Sequence, residues 1–374
     1  MKIRSVCFVA PFAYPVLSNR NVCPTGGAEI QQVLCGRTLQ EAGFRVSFVV
    51  QNYGQDAREV YHGMEVLACP FRYMGGSNRH FPADIARLLA LLRRVRADVH
   101  LMISPQSLLF SLATYRRLFG GRLVKIVGST TDVRTAPTLS SWLYALGTRV
   151  LDQTVFQTAV QQKEGGRNLG LSGPVIPTFV PEAPEIPAPA ERDIDVLWVG
   201  GCDDNKRPEY FLDLAEALPD ARFFLICSPR KDSDQFERIQ RRAGALANVQ
   251  HLANVSGGDP SIPFWSQIAP FYARSRILVS TSIQEGFPNV FLEAWQAGAP
   301  VVSLGVDPDD VIQRQGLGRV SGTMERLTAD VRHFLENEAE RSAAGVRCSE
   351  YVATTHATDR IVGKYLDLFD ALGR

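Results

Sequence analysis

The sequence has 374 residues, 45% hydrophobic and 21% charged, which supplies a sizeable core and is long for a single domain. A formal charge of +1 argues against a nucleic-acid binder, which carries a strong basic excess, although a local basic face remains compatible with it. No apolar run approaches the ~18 residues that span a bilayer, so the expectation is a soluble, cytoplasmic protein.

In chain order, "MKIRSVCFVAPFAYP" holds a short apolar run that stops at Pro11, which suits a first β-strand better than a signal peptide. "GGAEIQQVLCGRTLQEAG" follows with helical periodicity: Ile30, Val33, Leu34 and Leu39 form a stripe, and Gly43 is placed to end it. "RVSFVVQ" is β-rich, "DIARLLALLRRVRA" is an amphipathic helix, and "DVHLMIS" is a buried strand. "LLFSLATYRRLFG" and "RLVKIVGS" repeat the helix–strand pattern. Alternation at this spacing predicts a parallel, doubly wound sheet.

The texture changes in "GPVIPTFVPEAPEIPAPAER", which is too rich in proline for a regular element and reads as an interdomain linker. Alternation then restarts with "IDVLWVGG", "PEYFLDLAEAL", "RFFLICS", "QFERIQRRAGAL", "RILVSTS", "NVFLEAWQAG" and "PVVSLG". The expected domains are 1–175, a linker over 176–192, a second domain over 193–355, and a terminal helix over 356–374. Ile361, Tyr365, Leu366 and Phe369 are predicted to share one side of that helix. The fold expected is α/β: two Rossmann-like, doubly wound parallel-sheet domains facing across a cleft, with ligands beyond the carboxyl ends of the strands.

The seven cysteines, Cys7, Cys23, Cys35, Cys69, Cys202, Cys227 and Cys348, form no CxxC pair, and several sit in apolar runs. They read as reduced, mostly buried thiols rather than a disulfide frame or a zinc site.

Three stretches carry candidate chemistry. In "VLWVGGCDDNKRPEYF" a strand ends at Gly200 and Gly201, and Lys206 and Arg207 lie in the loop before a helix with Pro208 at its start. Lys206 there can neutralise charge on a departing diphosphate; the plain alternative is a solvated basic pair. In "PTGGAEIQQVL", Gly26 and Gly27 permit unusual backbone angles ahead of a helix N-terminus, a ready anion site, although many βα units share such a turn. In "STSIQEGFPNVFLEAW", Gly286 allows a close turn, Pro288 and Asn289 stand at a helix start, and Glu293 is expected in its first turn, able to accept from a ribose diol or simply to stabilise the helix dipole. Glu285, just before the helix, faces whatever lies beside the phosphates.

"EGFPNVFLEAWQAGAPVV" resembles the Glu-x7-Glu signature of retaining GT-B glycosyltransferases, the large family 4, glycosyl transferases group 1. "STSIQEGFPNV", "VGG…NKRPEYFLDLAEALPDARFFLIC", "GGAEIQQVLCGRTLQEAGFRVSFVV" and "QTAVQQKEGGRNLGLSGPVIPTFV" resemble other segments of that family, so the similarity spans most of the chain. The resemblance implies a donor site of Gly26, Gly27, Gly200, Gly201, Lys206, Arg207, Gly286, Phe287, Pro288, Asn289, Val290 and Glu293. It gives Glu285 to the donor sugar, Glu293 to the ribose, Lys206 to the diphosphate, and Gly26-Gly27 to the same diphosphate from the first domain. It implies no metal and no cofactor beyond the nucleotide-diphosphate sugar itself, and a terminal helix that packs back on the first domain. Gly201 stands where the family usually has an arginine, for which Arg207 is a candidate substitute. The family's histidine beside the sugar is also missing; "KIVGSTTDV" offers Ser129, Thr130 or Asp132 instead, and His100 reads as a satisfied strand histidine.

The resulting expectation is a metal-independent transferase that moves a sugar to a glycan, lipid-linked glycan or small metabolite with retention of configuration. A non-catalytic sugar-nucleotide binder or partner subunit is the alternative, and a sugar-nucleotide epimerase a weaker one. A lipid-linked acceptor would bring the chain to the inner face of a membrane, through the basic amphipathic stretch 87–96. That stretch reads more readily as a core-packing helix with a solvated basic face than as a membrane contact.

Overall fold

The computed structural model describes residues 2–20, 22, 26–69, 82–103, 108–134, 139–181, 192–230, 233–253 and 264–374. Most of the expected linker, residues 182–191, lies outside the described residues, as does Cys23. The chain divides into two compact units, Met1–Phe179 with Thr358–Arg374, and Val180–Ala357.

The first unit runs β1 (Ser5–Val9), α1 (Tyr14–Ser18), α2 (Gly27–Glu41), β2 (Arg45–Gln51), β3 (Arg58–Tyr61), β4 (Met64–Cys69), α3 (Pro82–Val95), β5 (Val99–Met102), α4 (Leu109–Phe119), β6 (Arg122–Ile126), α5 (Leu139–Thr148), β7 (Gln153–Val155) and α6 (Ala159–Leu169). Its sheet has the order β3-β4-β2-β1-β5-β6-β7. The central strand β1 is buried along its whole length and pairs in parallel with β2 and β5, as a continuous apolar run covered on both faces should. All four predicted α2 stripe residues are buried, and the helix lies so close to the sheet that a Cβ on Gly36 would stand 2.7 Å from the Phe48 ring.

One strand departs from the parallel expectation. β3 runs antiparallel to β4, and His62 and Gly63 between them both have positive φ (51° and 74°). That is the backbone of a tight hairpin turn whose twist matches its strands. The charged, alternating "REVY" then covers the sheet edge.

The second unit runs β8 (Ile194–Gly201), α7 (Pro208–Ala217), β9 (Phe223–Ser228), α8 (Ser233–Ala245), β10 (Val249–Leu252), α9 (Phe264–Arg274), β11 (Ser275–Ser280), α10 (Asn289–Gln296), β12 (Val301–Ser303), α11 (Val311–Gln315), β13 (Gly318–Val320), α12 (Met324–Glu336) and α13 (Glu338–Thr355). Its strands are all parallel, in the order β10-β9-β8-β11-β12-β13. Val196 and Trp198 of β8 join one core layer, with Phe211 and Phe334, whereas Leu197 joins the other, with Phe291 and Trp295. From β8 the chain winds outward to β9 and β10 on one side and then returns to β11 on the other. The strand order therefore reverses between β8 and β11, and the space beyond their carboxyl ends is where such sheets hold ligands.

After α13 the chain returns to the first unit as α14 (Thr358–Gly373). Phe369 packs on Phe44 with ring centroids 5.4 Å apart, and Tyr365 stacks on Phe179 at 5.9 Å. The Arg122 guanidinium donates to the Leu372 carbonyl at 3.0 Å. The buried stripe is Ile361, Tyr365, Leu368, Phe369 and Leu372, a spacing of four, three, one and three. Leu366, predicted to belong to it, falls a full residue step around the helix and is exposed.

Candidate active site

The loop after β8 and the loop after β11 meet at the reversal point. Asp203 sets the first: its Oδ1 accepts from the backbone amides of Asn205 (3.1 Å) and Lys206 (2.9 Å), an Asx turn. Arg207 then takes a left-handed conformation, φ 49° and ψ 60°, unfavourable for a residue with a side chain. It is held there from β11's end. The Arg207 Nε donates to the Thr281 carbonyl at 2.8 Å, and the buried Thr281 hydroxyl lies 2.6 Å and 2.9 Å from the carbonyl oxygens of Lys206 and Arg207. Trp198 Nε1 donates to that hydroxyl in turn, at 2.9 Å.

Asn205 ties the loops together a second time. Its side-chain amide donates to the Gln284 carbonyl (2.9 Å) and accepts from the Gln284 amide (3.1 Å), and its own carbonyl accepts from Ile283 (2.8 Å). Two loops 79 residues apart in sequence thus become one rigid edge. Its product is an ion pair: Lys206 Nζ stands 2.5 Å from Glu285 Oε1, with the side chains 24% and 16% exposed. Both heads are open enough to meet a ligand, and desolvated enough for their charges to count for more than on an open surface.

The rest of the signature follows. Phe287 anchors the Gly286–Pro288 turn by packing edge-on to Trp295 (6.2 Å) and against His356 (5.1 Å). Pro288 is the N-cap of α10, which starts at Asn289, and makes no side-chain hydrogen bond to the first amides of the helix. Glu293 is not in the first turn, as expected, but the fifth residue of a helix that begins at Asn289. A dipole role therefore weakens, because that effect fades beyond the first turn. Glu293 keeps part of its surface open while lying deep in the unit, and desolvation holds its carboxyl above the ordinary range, with the nearby Tyr272 hydroxyl offsetting part of the rise.

Arg207 is committed elsewhere: besides Thr281, its guanidinium sits 4.7 Å from the centroid of the Tyr210 ring. Gly200 and Gly201 are strand residues paired with Cys227 and Ser228.

In the first unit the structure corrects two expectations. Gly26 is the extended N-cap of α2, φ −127°, so no unusual backbone angle requires it or Gly27 there. The helix end is partly filled from within, since the Gly26 amide donates to the Glu29 carboxylate at 2.9 Å. Asp132 does not turn outward to a sugar. It is buried, 3.2 Å from the Lys125 ammonium, and accepts from the Gly128 amide at 3.1 Å. Ser129 caps the short helical turn Thr130–Val133. His100 is a buried strand residue packed on Tyr115, and desolvation lowers its pKa to about 4.

Among the described residues no cluster of His, Cys, Asp and Glu could hold a metal, and no helix is long and apolar enough to cross a membrane. The described cysteines are all free and buried.

Two parallel-sheet Rossmann-like units define the GT-B fold, and comparison with known proteins agrees. Residues 193–337 match the family described as glycosyl transferases group 1. Sucrose-phosphate synthase from Thermosynechococcus elongatus is similar over 99% of both chains, with 15% identity and a TM-score of 0.76. A Rickettsia africae glycosyltransferase is similar over 100% of both chains (13%, 0.73), and Anabaena HepE, solved with UDP, over 98% of this chain and 100% of its own (13%, 0.72). Among the curated proteins none matches the sequence.

Proposed function

We propose that this protein is a glycosyltransferase that moves a sugar from a nucleoside diphosphate donor, bound at the carboxyl edge of the second unit, to a hydroxyl of its acceptor with retention of configuration. The observation that carries this reading is the Lys206–Glu285 pair at the strand-order reversal, inside the segment matched by the group 1 family. Glu285 holds the Lys206 ammonium at the edge. When a donor binds, Lys206 turns to the diphosphate and Glu285 is released to the sugar hydroxyls. The bond between the anomeric carbon and the diphosphate oxygen breaks, and the acceptor oxygen bonds to that carbon. The acceptor proton passes to the departing diphosphate, so no separate base is needed. Lys206 stabilises the negative charge on the leaving group where it develops.

Glu293 is the ribose acceptor in this scheme, and its environment gives a test. Its carboxyl titrates higher folded than unfolded, so the folded state binds more protons between those values and stability falls as pH rises through that window. At neutral pH the ionised group therefore costs stability. Glu293→Gln is expected to unfold at slightly higher denaturant than wild type, yet to weaken nucleoside diphosphate binding about tenfold or more. A thermal-shift series with UDP, GDP and ADP checks it, UDP coming first because HepE was solved with UDP and with UDP-glucose. A stabilising shift from one nucleotide, lost in Glu293→Gln, supports the reading. No shift from any of the three in wild type overturns it.

We infer further that the acceptor lies at a membrane surface. Leu88 and Leu92 of α3 are buried, while Arg87, Arg93, Arg94 and Arg96 are exposed. Beside them α4 exposes Phe110, Leu118 and Phe119, and α5 exposes Trp142 and Leu146. Apolar and aromatic side chains set among arginines suit an anionic lipid interface. Sedimentation with phosphatidylglycerol vesicles is expected to carry the protein down, severalfold less for Arg93→Glu/Arg94→Glu and not at all with phosphatidylcholine alone. Equal recovery with both lipids would sink the inference.

A further inference from the structure

We propose that Arg230, laid across the end of β8 in the space that Gly201 leaves empty, is a second cation for the donor's diphosphate. This deepens the reading of the second unit as a nucleoside diphosphate site and rests on it.

Gly201 raises the question. It is an in-register strand residue opposite Ser228 and has no left-handed φ, so its backbone makes no demand for glycine. Space makes that demand. A Cβ on Gly201 would stand 2.2 Å from Arg230 Nε, inside any real contact, and a tight 3.1 Å from its Cγ and Cζ. The arginine stem therefore lies flat over the strand end, and only a residue without a side chain admits it there.

Arg230 reaches this place from the neighbouring strand. It lies two residues beyond β9, whose last residue, Ser228, accepts from the Cys202 amide at 2.8 Å. Its guanidinium is thus at the carboxyl edge where the Lys206 loop starts, half-buried with its aliphatic part on protein. Burial raises the Cys227 thiol beneath, and the arginine is close enough to oppose that rise.

Arg230 adds its charge to those of Lys206, which faces Glu285, and Arg207, which faces the Thr281 carbonyl and the Tyr210 ring. A diphosphate brings more negative charge than one ammonium neutralises. A planar guanidinium supplies parallel donors that fit phosphate oxygens, and one held flat by packing loses little freedom on binding.

Calorimetric titration tests this in wild type, Arg230→Ala, Arg230→Lys and Gly201→Ala. The probes are whichever of UDP, GDP or ADP binds wild type most tightly, and its parent nucleoside. Arg230→Ala is expected to weaken the diphosphate about 10- to 100-fold and leave the nucleoside unchanged, with a shallower dependence on salt. Arg230→Lys is expected to fall between. Gly201→Ala keeps every charge and pushes the guanidinium aside, so it too is expected to weaken the diphosphate more than the nucleoside. Wild-type diphosphate affinity in Arg230→Ala, or equal losses for diphosphate and nucleoside, overturns the assignment of Arg230 and leaves the donor site standing. A wild type that binds none of the three diphosphates overturns both.

Discussion

Lys206→Ala is expected to lower kcat for sugar transfer by about 10²–10³-fold while moving the melting temperature by no more than a few degrees. The two effects separate because the loop does not depend on the ammonium. Asp203 holds the Lys206 amide, Thr281 contacts the Lys206 carbonyl, and Asn205 clasps Gln284, all through groups the substitution leaves in place. What disappears is a cation placed beside the developing charge of the leaving group, and a charge that matters mainly in the transition state appears in kcat more than in KM. Steady-state kinetics with the donor identified by thermal shift, beside circular dichroism melts, checks this. A variant with half the wild-type kcat would remove Lys206 from the mechanism. A variant that melts far below wild type would show that the Glu285 pair serves mainly to hold the two loops.

The sequence made the scaffold legible because parallel strands buried on both faces appear as continuous apolar runs. "RVSFVVQ" and "IDVLWVGG" correspond residue for residue to β2 and β8. The β3–β4 hairpin was not foreseen, since its strands alternate charged and apolar residues and its turn is His-Gly rather than a familiar Asn-Gly or Asp-Gly pair. The candidate residues of the second unit were legible as a motif, but not the means that position them. Asn205 acts on Gln284, and Thr281 on Arg207, through backbone groups more than 70 residues away, which no local pattern encodes. Arg230 was missed for a related reason. Gly201 carries no side chain of its own, and the cation beside it comes from beyond the adjacent strand. In the first unit, polar residue type misled: Asp132 sits in a loop beyond a strand, where ligands bind, yet it turns inward to a lysine that an apolar strand had buried.

That inward turn sets the second large effect. Asp132→Ala is expected to destabilise the first unit by about 3–5 kcal/mol, because it leaves the Lys125 ammonium buried without its counter-charge. Lys125 is fully buried, and the groups left to its Nζ are the carbonyls of Ile103 at 2.5 Å and Ile126 at 3.4 Å and the face of the Tyr144 ring, 6.0 Å away. The same substitution frees the Gly128 amide and loosens the turn that leads to Ser129 and Thr130. A charge buried alone costs far more than the pair gained by forming, so the penalty should shrink when both charges leave together. Lys125→Met/Asp132→Asn is accordingly expected to recover more than half of the lost stability, the amide still accepting from Gly128. Urea denaturation of the two single variants and the double variant checks this. Asp132→Ala at wild-type stability but with strongly reduced transfer would instead return Asp132 to the sugar-facing role read from the sequence. A large loss of stability, rescued in the double variant, assigns it to the fold.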